Sequence, residues 1–150
     1  MTESEQTAYD IIGGEARVRE LVDRFYDYMD ELPESSGIRE MHARSLKASR
    51  EKLFLFLSGW LGGPDLYVQK YGHPMLRRRH LPFSIGISER DQWMHCMKKA
   101  LSDMQLDEKV TAQLTRAFMQ TADHMRNQPE YDAENTGLHI VGKSCNDEQN

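Results

Sequence analysis

The chain has 150 residues, enough for one domain that buries roughly 70% of the surface its unfolded form exposes. Against 19 basic residues stand 24 acidic ones, a net charge of −5 that excludes a general polyanion binder, and the longest apolar run, "LFLFL" at 53–57, is too short to span a bilayer. Two cysteines, Cys96 and Cys145, are too few for a secreted disulfide framework, so the expectation is a soluble cytoplasmic protein without nucleic-acid or membrane partners.

From Glu15 onward, Val18, Leu21, Val22, Phe25, Met29 and Leu32 recur at steps of three and four. That spacing predicts an amphipathic helix, preceded by Gly13–Gly14 and broken by "LPESSG" at 32–37. A second helix is predicted from Ser45 to Leu61, burying Leu46, Leu53, Phe56, Leu57, Trp60 and Leu61 and stopping at Gly62–Gly63–Pro64. A polar and aromatic connection runs on through Tyr67 and Tyr71. Pro74, whose missing N–H is not needed in a first turn, opens a short helix that Pro82 closes at about His80. Ser88 and Asp91 look like a capping box for a helix carrying Trp93, Cys96, Met97, Ala100, Leu101 and Met104. Asp107 caps the last helix, through Val110, Leu114, Ala117, Phe118, Thr121 and Met125, which ends before Pro129. The expectation is an all-α domain over 1–128, with four substantial helices and short ones around 38–42 and 74–81, followed by a polar, flexible tail over 129–150.

The stretch "GHPMLRRRHLPFSIG" at 72–86 carries two histidines and three consecutive arginines. His80 has Leu76 one turn before it and Phe83 just after, an imidazole among hydrocarbon. A lone histidine of this kind is usually an ordinary half-buried side chain. Zinc would need three or four closely spaced ligands, and the chain has no Cys-x-x-Cys and no His-x-x-x-His. Haem iron needs one protein nitrogen only, because the porphyrin supplies four donors. An arginine beside that ligand would have a haem propionate as partner.

Five ordered motifs sharpen the choice: "YDIIGGE" at 9–15, "RFYD" at 24–27, "LGGP" at 61–64, "GHPMLRRRHLPF" at 72–83 and "ERDQWMHCM" at 89–97. Together they resemble the group II truncated haemoglobins over about residues 9–128. The resemblance implies a two-over-two α-helical sandwich, a shortened globin around haem b. It further implies that His80 is the proximal iron ligand, that Tyr26 is the distal tyrosine, and that Trp93 turns its indole N–H toward the gas ligand. Ser49 and Leu53 match two distal-helix positions one turn apart. Lys52 and Arg79, and more weakly Tyr67, match the propionate partners, which leaves Arg77 and Arg78 solvated. Phe56, Trp60, Leu76, Phe83, Met97 and Phe118 would line the haem. Without Cys-x-x-Cys-His the haem is expected to be non-covalent.

Two features depart from the family pattern. His42 stands where relatives commonly show tyrosine or phenylalanine, and its imidazole can donate, accept or bind iron, so His42 or Tyr26 is a candidate sixth ligand. The stretch "PESSG" at 33–37 is about three residues longer than in many relatives, slack that would let either residue reach the iron. His73 reads as a structural turn residue. The implied function is reversible binding of dioxygen, carbon monoxide, nitric oxide or peroxide. Its enzymatic forms are nitric oxide dioxygenase and peroxidase-like activity fed by a reductase, with detoxification of nitric oxide and reactive species as the role. A gas or redox sensor that switches through His42 or Tyr26 is the alternative, with the tail as its output.

Overall fold

A computed structural model of the chain describes residues 6–128. Helix α1 (Ala8–Ile12) starts on Thr7, whose hydroxyl accepts from the Asp10 N–H at 3.2 Å while the Asp10 carboxylate accepts from the Thr7 N–H. Helix α2 (Glu15–Glu31) buries Val18, Leu21, Val22, Phe25, Tyr26 and Met29, the face its periodicity predicts. A short 3-10 turn (Pro33–Ser35) leads into α3 (Ser36–Glu40). The remaining helices are α4 (Lys47–Trp60), α5 (Leu66–Tyr71), α6 (Leu76–His80), α7 (Ile87–Asp103) and α8 (Glu108–His124).

Helix α2 packs on both α4 and α7, and α7 packs on α8. The pair α2/α4 therefore lies over the pair α7/α8, and among the described residues no strand is present. None of these helices is long and apolar enough to cross a membrane. The core between the pairs centres on side chains with no measurable exposure, among them Val18, Leu21, Phe25, Cys96, Met97 and Leu101. Cys96 is a buried free thiol, held above its ordinary pKa by that burial.

Several local expectations are corrected. Helix α5 replaces the predicted connection around Tyr67 and Tyr71. Helix α1 was not expected. Its Tyr9 N–H donates to the Leu61 carbonyl at 2.9 Å, and a Cβ on Gly63 would collide with the Tyr9 ring, so glycine is what lets α1 lie against the end of α4. Pro74 does not open α6: Met75 adopts left-handed backbone, φ 48°, and the helix begins at Leu76. Helix α7 starts two residues earlier than the Ser88 signal, because the Glu89 carboxylate accepts from the Gly86 N–H at 2.8 Å; the Ser88 hydroxyl instead accepts from the Gln92 amide. Asp107 does cap α8, accepting from the Lys109 N–H.

The stretch 33–37 is not slack. Ser35 is fully buried, with its hydroxyl shared between the carbonyls of Met29 and Leu32 at 2.8 and 2.9 Å, and the Gln92 side-chain Oε1 accepts from the Ile38 N–H. In α4 the fully packed side chains are Phe54, Leu55 and Leu57, whereas Leu53, Phe56 and Trp60 remain partly open. Phe54 is roofed by the Arg19 guanidinium, 3.9 Å from its ring centre. The tail from residue 129, with His139 and Cys145, lies outside the described residues.

Phe25 joins the core to the rings of Tyr26 and Trp93, each at 4.9 Å between centres. Phe25→Ala should therefore lower stability by about 3–5 kcal/mol, read as a lower urea midpoint with an unchanged slope.

Candidate functional site

Helix α6 has room for one and a half turns, and its last residue is His80. The His80 Nδ1 lies 2.7 Å from the Leu76 carbonyl oxygen. A carbonyl can only accept, so in neutral His80 Nδ1 carries the proton and Nε2 keeps a bare lone pair. Arg79 turns its Nε–H back onto the Pro74 carbonyl at 2.8 Å. Arg77, expected to be solvated, donates instead to the carbonyls of His124 and Arg126 at 3.0 and 2.8 Å, because α6 crosses the end of α8. Arg78 is exposed, as expected.

His80 opens onto a cavity of about 230 Å³. Of the residues singled out in the sequence, Tyr26, His42, Leu53, Phe56, Trp60, Leu76, Phe83, Trp93 and Phe118 line it together with His80. This explains why Leu53, Phe56 and Trp60 are not sealed in the core: their apolar face is the cavity wall. Trp60 stacks on Phe118 at 4.6 Å, and Phe118 meets Trp93 at 5.9 Å. Met97 does not line the cavity; it is fully buried in the core one turn beyond Trp93. Sequence reasoning missed Ile38, Met41, Ile85, Glu89, Arg90, Thr121, Ala122 and Met125 altogether, and read Leu57 as core only. Thr121 and Met125 fall on the helical stripe that contains Phe118, which was the available signal.

Besides His80, Glu89, Arg90 and Thr121, the largely apolar lining carries three polar aromatic side chains, Tyr26, His42 and Trp93. Tyr26 is buried, and burial pushes its phenol above the ordinary value, opposed by the Arg50 charge and a hydrogen bond with Ser49. Tyr26 therefore stays an O–H near neutral pH. The Ser49 side chain itself is not part of the cavity wall. His42 lies against Tyr26 with ring centres 5.9 Å apart, nearly perpendicular, and its Nδ1 is 2.8 Å from the Ile38 carbonyl. By the reasoning applied to His80, neutral His42 carries its proton on Nδ1 and leaves Nε2 as an acceptor. Trp93 adds an indole N–H, which can only donate.

Lys52, Tyr67 and Arg79 are not in the cavity wall but form a cluster beside it. Tyr67 meets Phe56 at 6.2 Å and Tyr71 at 4.9 Å, the Arg79 guanidinium lies 5.9 Å from the Tyr67 ring, and the ammonium groups of Lys52 and Lys70 lie 5.6 and 5.5 Å from Tyr71. Among the described residues no carboxylate forms an ion pair with these three cations.

The bacterial-like globin family model matches residues 7–127. The group 2 truncated haemoglobin YjbI of Bacillus subtilis is 38% identical over 130 residues, which span 87% of this chain and 96% of that protein. The chain belongs to the group II truncated haemoglobins. The solved structure of a cold-adapted truncated haemoglobin from the Antarctic marine bacterium Pseudoalteromonas haloplanktis superposes on this globin with a TM-score of 0.81 at 47% identity, covering 83% of this chain and all of that one. A group II 2-on-2 haemoglobin from Agrobacterium tumefaciens gives the same TM-score at 43% identity, over 86% of this chain and 100% of its own. Truncated haemoglobins bind diatomic gases through haem. The side chains of this globin fit that group: one imidazole with a bare nitrogen, hydrocarbon walls, and cations without carboxylate partners at the edge for two propionates.

The cavity wall is held on one side by charge. Arg90 and Arg126 both donate to the Asp123 carboxylate, at 2.6 and 3.2 Å, and hold it below the ordinary value of 3.8. A depressed carboxyl pKa contributes stability above the unfolded value and loses it as pH falls through the folded one. The stability gap between the wild type and Asp123→Asn should be full at about pH 5 and close on acidification below about pH 4, as measured by urea unfolding.

Proposed function

We propose that this globin binds haem b non-covalently with His80 as the protein ligand of the iron. We further propose that it takes up dioxygen and related diatomic ligands reversibly and turns over nitric oxide or reactive oxygen and nitrogen species. The observation that carries this reading is the bare Nε2 of His80 in an apolar cavity that also collects Tyr26, Trp93 and His42. Bound haem supplies an iron that takes a diatomic ligand and exchanges electrons with it.

The residues divide the remaining work. The Leu76 carbonyl fixes the tautomer of His80 and enriches the electron density of its ring. Tyr26, kept protonated by burial, and Trp93 donate hydrogen bonds to negative charge developing on the ligand. His42 accepts at Nε2, so it complements the two donors and does not compete with them. Leu53, Phe56, Trp60 and Phe118 exclude water, which strengthens each of these interactions. Lys52, over the Tyr71 ring, and Arg79, over the Tyr67 ring, would hold the propionates.

Conversion of nitric oxide and dioxygen to nitrate consumes one electron, so this function calls for a reductase. The test is nitrate formation when the oxygenated protein meets nitric oxide. Turnover well above that of free haem is expected, and a rate no faster than free haem overturns the enzymatic reading. Loss of a hydrogen bond to a charged group amounts to about 1.5–3 kcal/mol, so Tyr26→Phe should speed oxygen dissociation about 10- to 100-fold, measured by stopped-flow replacement with carbon monoxide.

The lone pair on His42 favours a second reading, a sensor in which His42 takes the sixth iron position when no gas is present. Under that reading the ferric spectrum is six-coordinate and low-spin, and His42→Ala removes that signature.

A further inference from the structure

Helix α6 aims the key imidazole, yet core packing does not hold it. It is five residues long, buries none of them, follows a left-handed Met75 and ends ahead of Pro82. A helix this short has no cooperative stability of its own. Its anchors lie beyond α8. Arg77 caps the carbonyls of His124 and Arg126, and Asn127 binds the chain that leaves α6.

The Asn127 contacts use both halves of its amide. The Oδ1 accepts from the Ile85 N–H at 2.9 Å, and the Asn127 backbone N–H donates back to the Ile85 carbonyl at 2.8 Å. The Nδ2 donates to the Phe83 carbonyl at 2.8 Å and to the carbonyl of His80 itself at 3.3 Å. An N–H faces the oxygen and two carbonyls face the nitrogen, so the amide has one orientation that works. Asn127 thus adds a second donor to the His80 carbonyl, which also accepts from the Phe83 N–H at 3.0 Å, and binds the Phe83 carbonyl just past α6. The adjoining Arg126 is tied through Asp123 to Arg90 on α7, so the anchor is itself anchored.

We infer that Asn127, assisted by Arg77, is a positioning residue for His80: it sets the direction in which the imidazole presents Nε2, acting through the His80 backbone without touching iron or gas. This rests on the reading of His80 as the iron ligand. Asn127→Asp keeps the size and the acceptor for Ile85 but sets a carboxylate oxygen against two carbonyls.

The experiment compares the wild type, Asn127→Asp, His80→Gly with added imidazole, and the double variant. The readouts are the ferrous iron–histidine stretching band in resonance Raman spectra and the rate of haem transfer to excess apomyoglobin. Asn127→Asp should shift or broaden the band and speed haem loss roughly tenfold, the scale of two modest hydrogen bonds. In the His80→Gly background, where free imidazole is not tethered to α6, the same substitution should leave the iron–imidazole band unchanged. An unaltered band and loss rate in Asn127→Asp overturns the inference. So does an equal effect in both backgrounds, which would mark a merely structural role. A His80→Gly protein with wild-type spectra before imidazole is added overturns the reading of His80, and the inference with it. If Asn127→Asp does not fold, Arg77→Gln removes the other anchor and is read by the same criteria.

Discussion

An apolar cavity within so small a domain is an energetic liability that the rest of the fold has to offset. Side chains around a pocket of about 230 Å³ lack packing partners on one side and lose those contacts. Each wall is accordingly backed by tightly packed side chains. Phe25 stands behind Tyr26 and Trp93, Phe54 and Leu55 accompany Leu53 and Phe56 along α4, and Met97 and Leu101 continue α7 below Trp93. A bound prosthetic group that fills the cavity recovers the missing contacts, which couples cofactor binding to stability.

The chemistry of the cavity follows from one local device used twice. His80 and His42 each place Nδ1 on a backbone carbonyl four residues earlier, Leu76 and Ile38. The same local geometry therefore leaves Nε2 of each neutral ring without a proton. Tyr26 and Trp93 supply the donors that neutral His42 cannot. Burial of the phenol keeps its proton in place, so the pocket holds donors and acceptor together without a net charge that hydrocarbon would penalise.

Much of this was legible in the residues because it depends on local periodicity. The α2 stripe, the α4 and α8 faces, the Asp107 cap and the Pro82 stop all act within one or two turns. So did the cavity-lining side chains that share a helical face with a recognisable motif residue. Leu53, Phe56 and Trp60 were legible as apolar but not as partly open, since periodicity shows which face avoids water and not whether a partner chain or a void covers it. Met97 shares the Trp93 face, yet sits deep enough to pack on core atoms instead. The stretch 33–37 looked slack by length alone, and the buried hydroxyl of Ser35 tightens it.

By itself the sequence determined the helix periods and the breaks between them, because short-range sterics write directly into residue order, and its five family-like motifs pointed to the His80 imidazole as the candidate iron ligand. Only the tertiary structure decided how that group is aimed. Arg77 and Asn127 bind backbone groups 42 to 49 residues away, and Arg90 reaches Asp123 across 33. Such hydrogen bonds leave no periodic trace in a sequence, since a backbone carbonyl accepts whatever residue carries it. They exist only once α8 has brought its end against α6.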